Sequence, residues 1–225
     1  MLLLAADTSG KHGSIALADC GPETACRMIE VVPLDGGTFS AQLVPQVAAL
    51  LAKHGSSKQD IEGFAVVAGP GSFTGLRIGL AAIKALAEVL AKPIAAVSLL
   101  EAIAIAGRSR GRVIATLDAG RGDVYAGEYG VNGSGAHLER ERLLTRSELM
   151  QSAVGSIVVT ADSSLAETAR DVGLQVEKIE LPRSDAIARL GWQKILAGET
   201  VLPADLEANY IRRSSEIFFK GGSSL

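Results

Sequence analysis

The chain has 225 residues and a formal net charge of −3, and 48% of its residues are hydrophobic. This length suits one large domain or two small ones, and the hydrophobic content excludes a disordered chain. With this net negative charge, the chain lacks the excess of Lys and Arg that is typical of proteins that bind nucleic acid unaided. The two arginine clusters of the chain are therefore predicted to be solvated faces, namely Arg108, Arg110 and Arg112, and Arg140, Arg142 and Arg146.

The remaining composition points to an intracellular protein without metal. Cys20 and Cys26 are too few for a disulfide framework, and their spacing does not match a zinc site. The N-terminal apolar run is too short for a signal peptide, and charges interrupt every longer apolar stretch. The three histidines have no partner at ligand spacing. We therefore expect a cytoplasmic protein with reduced thiols, no bound metal and no membrane association.

The first half of the chain predicts an α/β unit. Three strands joined by turns open it, and the first of them ends in Asp7-Thr8-Ser9-Gly10. Ser40 is a candidate cap of the first helix, and Pro45 marks either its start or a kink. The predicted elements are strands at 2–6, 14–18 and 28–32, a helix at 38–54, a capping box at 57–60, a strand at 64–68, a helix ending at 91, a strand at 94–97 and a helix at 99–106.

The second half begins like the first. A Gly-, Arg- and Ser-rich stretch at 107–111 predicts a boundary between domains at 1–107 and 108–225, with a tail that packs back on the first. Beyond it, a strand again ends in an aspartate and a small-residue turn, at Asp118. The predicted elements are strands at 112–117 and 124–129, a loop at 131–136, a helix at 148–154 capped by Ser147, a strand at 157–160, a helix at 164–172, a strand at 174–179 and a helix at 185–197 capped by Ser184.

These two halves predict a duplicated α/β architecture. By analogy it is that of actin, heat-shock ATPases and sugar kinases, in which the two hairpin turns hold nucleotide phosphates. Asp7 and Asp118 would then position a magnesium nucleotide. The interpretation that we favour gives both carboxylates a structural role, as caps of their hairpin turns.

The segment GPGSFTG, residues 69–75, joins a predicted strand to a predicted helix. Such a junction can cradle a phosphate, because backbone N–H groups point outward there. A Walker A loop requires a lysine, and here Leu76 and Arg77 follow the last glycine. A dinucleotide fingerprint requires a third glycine where Thr74 stands. The segment is therefore predicted to be a tight corner. Whether the small face that follows it is buried within the chain or meets another protein stays open.

The sequence from Gly69 to Gly79, GPGSFTGLRIG, resembles the signature of the TsaB (YeaZ) family. Further similar positions extend over nearly the whole chain, at Asp7-Thr8-Ser9, Leu43-Val44-Pro45, Asp118-Ala119, Val124-Tyr125 and Tyr210-Ile211-Arg212. The resemblance implies the actin/sugar-kinase-like fold with two α/β subdomains. It also implies a non-catalytic partner of the transferase TsaD in N6-threonylcarbamoylation of adenosine 37 of tRNAs that read ANN codons.

The resemblance further implies the partners and their docking surface. TsaB-like proteins bind TsaD through their first two helices, pair with themselves without it, are joined by TsaE, and meet tRNA only through the assembly. No cofactor is implied, since the first helix lacks the metal-binding H-x-x-x-H of TsaD-like proteins. The expected partner-binding residues are Leu43, Val47, Leu50, Gly75, Gly79, Ala82 and Ile83. The alternatives are an ATPase or kinase that uses Asp7 and Asp118, and a metalloprotease.

Overall fold

The computed structural model describes residues 1–21, 26–133 and 135–211. Arg212, quoted above for the family resemblance, lies outside these residues. The chain divides into two compact units, of which the first holds Met1–Leu99 and Pro182–Asn209 and the second holds Leu100–Leu181 with Tyr210. The first break thus falls after Leu99 and not at 107, and a later helix also returns to the first unit.

The first unit contains a five-stranded mixed sheet with the strand order β3-β2-β1-β4-β5. The strands are β1 (Leu2–Asp7), β2 (Gly13–Asp19), β3 (Arg27–Leu34), β4 (Gly63–Gly69) and β5 (Ile94–Ser98). The helices of this unit are α1 (Phe39–Lys53), α2 (Phe73–Leu90) and, later in the chain, α6 (Ser184–Leu196). Each of the three packs against the sheet. Strand β4 is buried along its whole length, as its apolar sequence predicts.

The second unit repeats this topology, with the order β8-β7-β6-β9-β10. Its strands are β6 (Gly111–Gly120), β7 (Asp123–Asn132), β8 (Gly135–Thr145), β9 (Ile157–Thr160) and β10 (Gln175–Lys178). Its helices are α3 (Leu99–Ala106, which begins at the boundary), α4 (Arg146–Ser152) and α5 (Ser163–Asp171). In both units, two antiparallel pairs adjoin two parallel pairs. The expected actin/sugar-kinase-like fold with two similar α/β subdomains is confirmed.

Several local predictions were wrong. Helix α1 begins at Phe39 after Thr38, so Ser40 is not its cap, and of the two alternatives for Pro45 the start of the helix is excluded, since this proline lies inside it. The cap of α4 is Thr145, whose side chain forms a capping box with Glu148, and Ser147 lies within the helix. The predicted capping box of Ser57 and Asp60 is confirmed.

Strand β8 was missed, and its sequence explains why. It reads GAHLERERLLT, whose charges hide the period-two pattern that indicates a strand. The structure pairs it with β7, so that Glu128 lies opposite Arg140.

The two cysteines are joined in a disulfide, contrary to the expectation of reduced thiols. Cys20 follows β2 and Cys26 precedes β3. Because these strands pair antiparallel, with Asp19 opposite Arg27, they bring both cysteines together at a Cα–Cα distance of 4.1 Å.

Candidate functional site

The GPGSFTG segment packs against the turn that follows β1. A Cβ at Gly71 would lie 2.6 Å from the carbonyl oxygen of Ser9, and one at Gly75 would lie 2.0 Å from that of Thr8. The backbone N–H of Ser72 donates a hydrogen bond of 2.7 Å to the carbonyl oxygen of Ser9. These positions therefore need glycine, because the two backbones approach more closely than any side chain allows.

The glycines of helix α2 continue this contact. The Thr8 hydroxyl donates a buried hydrogen bond of 2.7 Å to the carbonyl oxygen of Gly75. A Cβ at Gly79 would lie 2.4 Å from the Thr8 Oγ1. Gly75 and Gly79 thus face the turn after β1 of their own chain. At these two positions the small-residue face of α2 is therefore buried within the chain.

The other expected partner-binding residues are placed unevenly. Leu43, Val47 and Leu50 of α1 and Ile83 of α2 are buried. Ala82 is partly exposed. The buried side chains supply packing for α1 and α2 and leave the outer surface of these helices to other residues. The partner-binding role of the whole set stays a prediction.

Helix α1 presents an apolar strip on the side away from its buried face. The strip consists of Ala41, Val44, Pro45, Ala48 and Ala52, which are all exposed, and Val44 is 56% exposed. The spacing of 3, 4, 7 and 11 residues from Ala41 places them on one helical face. This strip could have been found in the sequence, because both faces of α1 are apolar.

Helix α2 presents a second apolar strip. It consists of the exposed Ala81, Ala85 and Val89 and the partly exposed Ile78 and Ala82, and Val89 is 76% exposed. Arg77 lies over the exposed ring of Phe73 at the start of the helix, 3.7 Å from its centroid. Helices α1 and α2 also pack against each other. We call the two strips together the α1/α2 surface.

Asp7, the first candidate nucleotide ligand, is engaged within its own turn. Its Oδ1 accepts hydrogen bonds from the Ser9 N–H at 2.8 Å and from the Ser9 hydroxyl at 2.6 Å. Burial raises the pKa of this carboxyl, against the lowering effect of the two bonds. Asp7 therefore forms the Asx-type turn that we favoured. Asp118, in the second unit, is exposed on β6. Within the described residues, no group of three or more His, Cys, Asp or Glu could hold a metal ion.

Sequence reasoning missed a charged cluster in the second unit. The Glu128 side chain is 3% exposed and forms ion pairs with Arg140 at 2.9 Å, with Arg112 at 3.5 Å and with Arg142. Burial raises the pKa of Glu128, but hydrogen bonds and charge from Arg140 and Arg142 outweigh it and hold this pKa below its ordinary value. These arginines were expected to form solvated faces, and Arg112 and Arg140 are indeed half exposed, but three of the six also share one buried carboxylate. The available signal was the spacing of two residues between Arg140 and Arg142, which places both on one face of a strand.

The comparisons with known proteins cover most of the chain. Residues 32–187 match the family model described as TsaD, tRNA N6-adenosine threonylcarbamoyltransferase. The tRNA threonylcarbamoyladenosine biosynthesis protein TsaB of Escherichia coli is 31% identical over 95% of this chain and 96% of its own length.

Two solved structures from Pseudomonas aeruginosa are similar to this fold. YeaZ, at 25% identity and a TM-score of 0.75, covers 93% of this chain and 99% of its own. A protein described as similar to peptidase YeaZ, at 27% identity and a TM-score of 0.77, covers 94% and 99%. Together with the match along nearly the whole length of the curated relative, these similarities establish that the chain belongs to the TsaB (YeaZ) family.

Proposed function

We propose that the chain is a non-catalytic partner of TsaD in N6-threonylcarbamoylation of adenosine 37 of ANN-decoding tRNAs. The observation that carries the proposal is the exposed, apolar α1/α2 surface in a chain of this family. Large exposed apolar patches mark protein interaction sites. Alanines and a proline on α1 leave room for a partner helix to approach closely, since interaxial distance depends on the side chains at the contact.

We propose that the same surface also serves for self-association when TsaD is absent. An apolar strip of this kind can meet its own copy about a two-fold axis, which buries the same residues on both sides. We propose that TsaD and a second copy compete for the α1/α2 surface, that TsaE joins the assembly, and that the assembly works in the cytoplasm. Among the described residues, no helix is long and apolar enough to span a membrane.

The alternative, an ATPase or kinase that uses Asp7 and Asp118, has less support. A magnesium ligand needs a carboxylate that is ionised and open to the metal. Asp7 is instead buried, and its Oδ1 accepts two internal hydrogen bonds. Titration calorimetry with magnesium and ATP tests this alternative, and binding at micromolar concentration would favour it over the accessory role.

Size-exclusion chromatography of the chain with and without TsaD from the same organism tests the proposal. We expect a dimer for the isolated chain and a mixed complex when TsaD is added. A reconstituted reaction with TsaD, TsaE and a tRNA transcript should require the chain for formation of threonylcarbamoyladenosine. Equal product yields with and without the chain would refute the accessory role.

A further inference from the structure

We infer that the arginine cluster around Glu128 contacts the phosphodiester backbone of the tRNA directly, an inference that rests on the proposed function. It goes beyond the expectation that tRNA is met only through the assembly. The cluster consists of Arg112, Arg140 and Arg142 around the buried Glu128 carboxylate.

The strand register brings the cluster together. Glu128 of β7 lies opposite Ile114 of β6 and opposite Arg140 of β8. Arg112 and Arg142 lie two residues along from these positions, on the same face of the sheet. Beside Glu128 and towards the other end of β7, this face carries apolar side chains that form the core with α4 and α5, namely Ile114, Val124, Ala126 and Leu144. The cluster therefore occupies a place where this face carries charge instead of apolar core.

The number of arginines exceeds what Glu128 requires. One guanidinium suffices to pair one carboxylate, and three leave two positive charges in excess. Three guanidiniums carry about fifteen N–H donors, whereas one carboxylate accepts about four hydrogen bonds. Besides Glu128, the charge of Glu139 acts on Arg140. Glu141, the next acid on β8, alternates with Arg140 and Arg142 and so lies on the opposite face of the sheet, where it accepts a hydrogen bond from the Tyr129 hydroxyl. Even with Glu139 counted, the cluster stays positive.

The arrangement suits phosphate groups. The Arg112 and Arg140 side chains are 50% and 53% exposed, while Glu128 holds one end of each guanidinium. They project from the strands on either side of β7, and their guanidiniums converge on the Glu128 carboxylate. The exposed parts of both guanidiniums therefore form one cationic patch, and the phosphates of a tRNA are the anions that the proposed function brings to it. Guanidinium groups bind phosphate oxygens in a planar, bidentate manner, and the carboxylate of Glu128 orients them for it.

The test is a double variant, Arg112→Gln with Arg140→Gln, which leaves Arg142 to pair with Glu128. Fluorescence anisotropy measures binding of a labelled, unmodified tRNA transcript to the chain, alone and mixed with TsaD, at two salt concentrations. We expect the Kd of both samples to rise about tenfold and the slope of log Kd against log salt to fall by up to about 2, since two phosphate contacts are lost. The control is Arg121→Gln with Arg170→Gln, which removes the same charge from exposed positions of the same unit and should leave binding unchanged.

Three results would overturn the inference. The first is an unchanged Kd of the double variant in both samples, or an equal loss in the control. The second is displacement of tRNA by millimolar inorganic phosphate at constant ionic strength, which would indicate a small-anion site. The third is unchanged tRNA binding with lost association to TsaD or TsaE, which would indicate an acidic protein partner. If size exclusion shows no complex with TsaD, the proposed function is refuted. The anisotropy measurement on the chain alone would still decide whether the arginine cluster contacts tRNA.

Discussion

Thr8 connects the turn after β1 to helix α2 through its side-chain oxygen. Its hydroxyl bonds to the carbonyl oxygen of Gly75, and its Oγ1 occupies the space where a side chain at Gly79 would begin. The family signature thus has an internal reason, since both glycines are needed for contact with the turn after β1. A substitution at Gly75 or Gly79 therefore disrupts the packing of the first unit, whether or not a partner is bound.

A double-mutant cycle with Thr8 tests which Thr8 atom excludes a side chain at Gly79. Gly79→Ala should destabilise the protein by about 1–3 kcal/mol, because the new methyl overlaps the Thr8 hydroxyl. Thr8→Ala removes that oxygen, and the next Thr8 atom would lie 3.6 Å from the new Cβ. The double variant should therefore be less destabilised in urea titrations than the sum of the single variants.

Gly75→Ala provides the matched control for this cycle. Its clash is with the Thr8 carbonyl oxygen, which every residue at position 8 retains. Thr8→Ala should therefore give no rescue of Gly75→Ala. Equal rescue of both glycine variants would contradict the assignment of Thr8 Oγ1 as the obstacle at Gly79.

Glu128 makes stability depend on pH in a defined direction. Its pKa is lowered in the folded protein, so its ion pairs stabilise the fold above the unfolded pKa, and this contribution is lost as the pH falls through the folded pKa. Glu128→Gln should cost about 1–3 kcal/mol near neutral pH and much less once the pH is below the folded pKa, where wild-type Glu128 is itself neutral. Urea titrations of both proteins across this range measure the difference. A cost that is independent of pH would show that the ion pairs do not stabilise the fold.

Helix α1 has two apolar faces that perform different tasks. Leu43, Val47 and Leu50 are buried in the first unit, and the exposed strip around Val44 and Ala48 forms part of the α1/α2 surface. The proline inside the helix belongs to this outer strip, where water can reach the carbonyl group that it leaves without a helical partner.

A charge in the middle of the strip tests the α1/α2 surface. Ala48→Glu should weaken association with TsaD at least about tenfold, because docking would bury an unpaired carboxylate. Thermal unfolding should change little, since Ala48 is exposed. The matched control is Gln193→Glu, which adds the same charge at an exposed position of α6. Pull-down of TsaD with equal yield by both variants would place the docking surface elsewhere.

At the scale of the whole molecule, the first unit is discontinuous in sequence. Helix α6 follows the second unit, yet it packs against all five strands of the first sheet. A Cβ at Gly191 would lie 2.3 Å from the Cβ of Ala65 on β4, so helix and sheet are in close contact. Residues 200–209 continue this association, with Val201 bridging to Ile94 and the Asn209 N–H donating to the Ala68 carbonyl oxygen.

Truncation tests this arrangement. A chain that ends at Leu181 should lose the cooperative unfolding of the first unit, because one covering helix of its sheet is absent. Hydrogen exchange should then accelerate in β1 and β4 and remain slow in β6 and β7. Retained protection of β1 would show that α6 is not required by the first unit.

Much of the fold could be predicted because it depends on local patterns. Apolar strands, capping signals and the repeated aspartate turns all lie within a few residues, and they indicated the α/β class and the duplication. The same reasoning failed at β8, where charges replaced the apolar alternation. It also left open whether the first helix starts at Pro45, and the structure places this proline inside the helix.

The sequence by itself determined the family, the two-fold repeat and the absence of the common phosphate-binding motifs, since each of these is written in contiguous residues. Only the tertiary structure decided that Thr8 is the neighbour of Gly75 and Gly79, that three arginines converge on Glu128, and that α6 belongs to the first unit. These contacts join residues from distant parts of the chain. They depend on strand order and register, which a local pattern does not specify.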